Sequence, residues 1–142
     1  MKRRSLRGVI ASGTKKRLIV DDGLFTYGYR VTEFHIFGKD LSQSGNGCSG
    51  ILATSDEGQL TDFDCSDNRQ IAWAGYAQND QYAPLNQKSV VDPNHIIVSD
   101  LFVGATSQAQ SPINYLVVVE PLTLTEQQGI MALVKERSQD AN

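Results

Sequence analysis

Between Phe25 and Gly38 the chain reads FTYGYRVTEFHIFG, and this stretch limits the fold more than any other. Phe25, Tyr27, Tyr29 and Val31 alternate with Thr26, Gly28, Arg30 and Thr32, the period of two that sends successive side chains to opposite faces of a sheet. A helix would scatter the same four apolar residues around its axis. Past Thr32 the phase flips: Phe34 and Ile36 carry the apolar face and Glu33 and His35 the other. A β-bulge or a crossing between sheets is therefore expected near Thr32.

The remaining pattern is that of short strands joined by polar loops. RLIVDDG, from Arg17, reads as a strand closed by a turn, Gly50 to Thr54 as a short strand, and Arg69 to Tyr76 (RQIAWAGY) as a strand with Ile71 and Trp73 on one face. His95 to Ala105 and Ile113 to Glu120 are β-branched runs joined by the polar loop Thr106 to Pro112, and Asp92-Pro93-Asn94 is a turn signal before them. KDLSQSGNGCSG, the acidic stretch Asp56 to Asp67 and the polar stretch Gln78 to Gln87 read as loops. At Thr125 the period changes. Thr125 and Gln128 fit a capping box, and Ile130, Leu133 and Val134 fall at helical spacing. Lys135 and Arg137 suit the C-terminal end of a helix dipole, so one helix is expected over about 125–138.

About seven strands, no βαβ alternation and one terminal helix predict a mostly β chain, an antiparallel β-sandwich of jelly-roll-like type. A chain of 142 residues is long enough to bury a core without disulfide or metal. No uninterrupted apolar run is longer than that from Tyr115 to Val119, which is far short of the roughly 20 residues that cross a bilayer as a helix. The basic start lacks the apolar stretch of a cleaved export signal, so none is expected.

Charge divides the chain unevenly. Lys2, Arg3, Arg4, Arg7, Lys15, Lys16 and Arg17 put seven cations and no acid into the first 17 residues. The rest holds six cations against all 16 carboxylates, a balance of −10. Residues 1–16 are thus expected as a basic arm on an acidic domain spanning 17–142. Such an arm is suited to contact with neighbouring acidic subunits or with a polyanion such as nucleic acid, and its removal is expected to leave a folded body. A solvated tail and an arm folded onto its own body are the bland alternatives.

Few residues carry chemistry. His35 and His95 both fall in strand patterns, with no nucleophile at a telling spacing. Asp56, Glu57, Asp62, Asp64 and Asp67 form an acidic loop that suits a solvated surface, a dock for basic side chains or a calcium site, although the EF-hand spacing is absent. As paired carboxylates they would also serve a small hydrolase. Trp73, Tyr76 and Tyr82 offer a ligand-stacking face for a glycan- or receptor-binding module, against the commoner role of strand aromatics as core. Cys48 and Cys65 read as free thiols. No P-loop, G-x-G-x-x-G after a strand, H-E-x-x-H or C-x-x-C occurs, so no catalytic residue, metal or cofactor is assigned and no enzymatic activity is expected.

The segments DDGLFTYGYRV, DNRQIAWAG, VVDPNHIIVSDLFVGA and INYLVVVEPLTLTEQQGIMALVKERSQ resemble small virion structural proteins of marine bacteriophages, over most of residues 17–138. The resemblance is one of whole pattern and brings no functional residues with it. It implies a capsid, cement or decoration protein that is made in the host bacterial cytoplasm and built into the virion. Its partners would be other capsid subunits, with homo-oligomeric contacts made by the basic arm and the terminal helix.

Overall fold

The computed structural model describes residues 3–20, 27–39, 47–56, 62–77, 86–97 and 100–123. These contain eight strands: β1 (Arg4–Ile10), β2 (Thr14–Ile19), β3 (Tyr27–Gly38), β4 (Cys48–Ala53), β5 (Gln70–Ala77), β6 (Asn86–Val91), β7 (Asp100–Ser107) and β8 (Ile113–Thr123). They form two antiparallel sheets, β1-β8-β3 and β2-β7-β4-β5-β6. The helix expected over 125–138 lies outside the described residues.

The phase flip in β3 is a bulge. Val31 pairs with Val119 and Glu33 with Val118, leaving Thr32 as the extra residue, whose hydroxyl donates to the Val118 carbonyl at 3.2 Å. One inserted residue turns every later side chain over. Tyr29 and Val31 before it and Phe34 and Ile36 after it are consequently all buried.

A second slip corrects the expectation for β5. Leu52 pairs with Ala72 and Ala53 with Gln70, so Ile71 is the inserted residue. Ile71 joins Ala72 and Ala74 in the core between the sheets, whereas Trp73 packs with Phe102 against Ile51 and Ala53 on the far side of the larger sheet. Placing Ile71 and Trp73 on one face assumed an unbroken pleat.

The sheets pack face to face. Phe34, Ile36, Val117 and Val119 of one and Leu52, Ile71, Leu101 and Val103 of the other belong to a single buried cluster. The sheets approach closely at Gly50, where an added Cβ would lie 3.1 Å from Ile36 Cγ2 of the opposite sheet. Ser89 of β6 donates its hydroxyl to the Phe34 carbonyl. Beyond β6, Ile97 and Tyr29 exchange backbone hydrogen bonds of 2.7 and 2.8 Å, which closes the free side of β3.

Among the described strands, two of the four crossings between the sheets, residues 11–13 and 108–112, form adjacent corners. Gly13 adopts φ +79°, a left-handed conformation that glycine takes without strain. Its N–H donates to the Ala105 carbonyl at 2.8 Å. The Ser107 N–H donates to the Ser12 hydroxyl at 2.9 Å, which ties the two corners together.

The expected basic arm is therefore part of the fold, and the boundary drawn at residue 17 falls inside β2. Leu6, Gly8 and Ile10 alternate inward along β1, a pattern obscured by Arg7 among them and Arg4 before them. β6 overlaps the end of the expected loop at Gln87 and stops before the expected turn at Asp92; Gln87, Lys88, Ser89 and Val90 are all exposed, so no alternation marks it as a strand. Within the run from His95, His95 and Ile96 lie outside any strand, Ile97 forms an isolated bridge and β7 runs from Asp100.

Candidate functional site

Among the described residues β1 and β2 are the outer strands of the two sheets, and they leave the same corner, so their outer edges lie side by side on one flank. Free edges invite pairing by other chains, and charged side chains are a common guard against it. Here the flank carries Arg3, Arg4, Arg7, Lys15, Lys16 and Arg17, all exposed, and no carboxylate. Lys2 lies outside the described residues.

Alternation decides what each cation does. Arg4 and Lys16 fall on inward rows, where they cover the open side of the core. The Arg4 guanidinium lies 5.7 Å from the Tyr29 ring centroid and the Lys16 ammonium 5.6 Å from that of Tyr115, distances at which the ring face attracts a cation. On the other rows, Lys15 donates to the Asp56 carbonyl at 2.8 Å and Arg17 pairs with Asp100 at 2.8 Å. The Arg17 side chain is 60 % exposed, so this ion pair contributes at most about 1 kcal/mol. It also accounts for only one carboxylate oxygen, since Asp100 Oδ1 is buried without a hydrogen-bond partner. Four of the basic residues thus help hold β1 and β2 to the body. Arg3 and Arg7 are left pointing into solvent.

The acidic loop is self-organised around Gln70, a buried side chain. The Gln70 amide oxygen accepts from the Asp64 N–H at 2.9 Å and from Trp73 Nε1 at 2.8 Å, and its nitrogen donates to the Asp62 carbonyl at 3.0 Å. Asp64 accepts from the backbone and hydroxyl of Ser66. Asp67 grips Arg69 through both oxygens, at 2.8 and 2.9 Å, and the hydrogen bonds from Arg69 hold its carboxyl below the usual carboxylate range. Two of these acids are thus turn locks, while Asp56 and Asp62 are exposed. Among the described residues no three metal-ligating side chains converge. Glu57 lies outside them.

The proposed stacking face divides. Trp73 points away from the core between the sheets, whereas Tyr76 packs against it, because residues an odd number apart on a strand face opposite ways. Tyr82 is outside the described residues. A shallow hollow of about 320 Å³ lies at the end of the larger sheet over Gly47, Ser49, Thr106 and Gln108. His35 Nε2 approaches Glu33 at 3.4 Å on the outer face of the smaller sheet. Both cysteines are free; burial pushes the Cys48 thiol up to about 11, while Cys65 is exposed.

Gly8, Gln70 and the Ser12 to Ser107 link are structural features that the charge pattern does not reveal. Only Gly8 left a trace in sequence, as the middle of the Leu6, Gly8, Ile10 alternation. No protein-family model matches the chain, and no curated protein matches it.

Proposed function

We propose that this chain is a structural protein of a bacteriophage virion, with a jelly-roll fold, which joins neighbouring capsid subunits by non-covalent contacts along its β1 and β2 flank. The fold reading follows from the order of pairing. A ribbon folded in half pairs its first strand with its eighth, second with seventh, third with sixth and fourth with fifth; wound into two sheets it gives the orders 1-8-3-6 and 2-7-4-5. Here β1 pairs with β8, β2 with β7 and β4 with β5. The departure is β6, which stays on β5 while the residues after it reach β3 through Ile97. Jelly rolls serve capsids, lectins and small-molecule enzymes alike, so fold alone assigns no role.

The observation that carries the reading is the pair of charge-lined outer strand edges on one flank among the described residues, bearing six cations in a chain whose residues after 17 balance at −10. Like-charged edges repel, so two copies meet basic flank to acidic surface. The contact is electrostatic and weakens as the Debye length falls from about 10 Å at 0.1 M salt to about 3 Å at 1 M. Sedimentation of the full chain across that range is expected to show assemblies that dissociate with salt. Replacing Arg3 and Arg7 together by Glu removes the assemblies without lowering the melting temperature. A monomer at every concentration, or assemblies indifferent to both changes, contradicts the proposal, as does absence of the protein from purified particles.

A further inference from the structure

We infer that β1 exchanges between copies, the β1 of one chain docking on the β8 of its neighbour. The inference rests on the assembly reading above: the salt-dependent contact of basic flank and acidic surface brings two copies together, and the exchange adds a second contact between them. β1 is the most lightly held strand of its sheet. Among the described residues it pairs only with β8, and of its seven residues only Ile10 is buried, with Leu6 and Gly8 partly so. Of its two described arginines, Arg7 is free and Arg4 touches the body through one ring. β2 is anchored separately, by the Arg17 to Asp100 ion pair and the bond from Lys15 to the Asp56 carbonyl.

The corner between them is tied to β7 by the Gly13 N–H to Ala105 bond and the Ser12 hydroxyl to Ser107. Neither bond involves β1, so β1 can leave while β2 stays in place. Its departure uncovers Ile113, Tyr115 and Val117 of β8, buried apolar side chains that must be covered again. A second copy offers the one strand already complementary to them, and short tight hinges favour such exchange over self-closure. Pairing of intact edges is opposed by their shared positive charge, whereas exchange uses the face of β1 that already meets β8.

Cross-linking on the outer face distinguishes the modes. Val9 lies opposite Asn114 and Ser5 opposite Val118, pairs whose Cβ atoms stand about 4.5–5.5 Å apart in an antiparallel sheet, close enough for a disulfide. Two variants are made on a Cys65→Ser background, Val9→Cys with Asn114→Cys and Ser5→Cys with Val118→Cys, each checked for a native β spectrum. They are oxidised as isolated assemblies, then denatured and run without reductant. The expected result is a covalent ladder from both pairs, lost on reduction. Monomeric chains closed by an internal disulfide, recovered from such assemblies, overturn the exchange and leave the assembly reading standing. Absence of any species larger than a monomer before oxidation overturns both.

Discussion

Gly8→Ala tests how β1 is seated. Gly8 pairs with Tyr115 of β8, and a Cβ added there would lie 2.7 Å from Tyr115 Oη, 3.0 Å from Cζ and 3.2 Å from Cε1. Contacts at rest are about 3.5–4.0 Å, so ring or strand must give by roughly 0.5–1 Å. The ring has little room, being 3 % exposed, with Ile36 across from it on β3 and Lys16 over its face. Overpacking of this kind costs about 1–3 kcal/mol, and replacing a strand glycine by alanine returns roughly 0.5–1 kcal/mol. The net expectation is a loss of about 1–2 kcal/mol, or a melting temperature lower by roughly 3–8 °C for a chain of this size. Tyr115→Phe removes the nearest atom, so the double variant should recover at least about 0.5 kcal/mol relative to additivity. Urea denaturation of the four proteins measures the cycle. Amide exchange should show the loss first in β1, the strand displaced. Additive effects, or a Gly8→Ala protein with unchanged stability and unchanged β1 protection, would refute the seating of β1 under the Tyr115 ring.

The Asp67 carboxyl is depressed by Arg69, so it stabilises the fold above the unfolded carboxylate value of about 3.9 and this contribution is lost as pH falls through the folded value. Asp67→Asn should therefore be less stable than the parent in urea at neutral pH, with the difference closing in acid; a constant gap would be inconsistent with that linkage. Gln70→Ala removes three hydrogen bonds and leaves the Trp73 indole N–H unpaired, for an expected loss of about 2–4 kcal/mol in the same assay; a change under about 0.5 kcal/mol would mean the loop does not depend on Gln70. Thiol titration near pH 8 should find one fast group, abolished by Cys65→Ser. Cys48, buried and raised to about 11, should react only on unfolding, and rapid modification of both cysteines in the native protein would contradict its burial.

What the sequence determined by itself is what neighbouring residues impose on one another. Alternation from Phe25 to Gly38 marked a strand, and the flip at Thr32 marked a break in its phase, because the pleat is a property of adjacent residues and a phase error in it is visible without any partner. That the break is a bulge and not a crossing between sheets is decided by the pairing with β8. The bulge at Ile71 left no such mark. In RQIAWAGY the inserted residue is as apolar as its neighbours, and only the pairing of β5 with β4 reveals it. Partner choice was likewise hidden. Nothing local in residues 4–19 says that β1 joins β8 and β2 joins β7, and the density of Lys and Arg made two edge strands look like a tail. Their charges suit an edge because one side faces solvent, and whether a strand is an edge depends on which residues a hundred positions away occupy its other side. The same holds for the cations themselves: sequence counted seven, and the tertiary structure decided that Arg4 and Lys16 cover core tyrosines, that Lys15 and Arg17 tie β2 to the body, and that Arg3 and Arg7 are free.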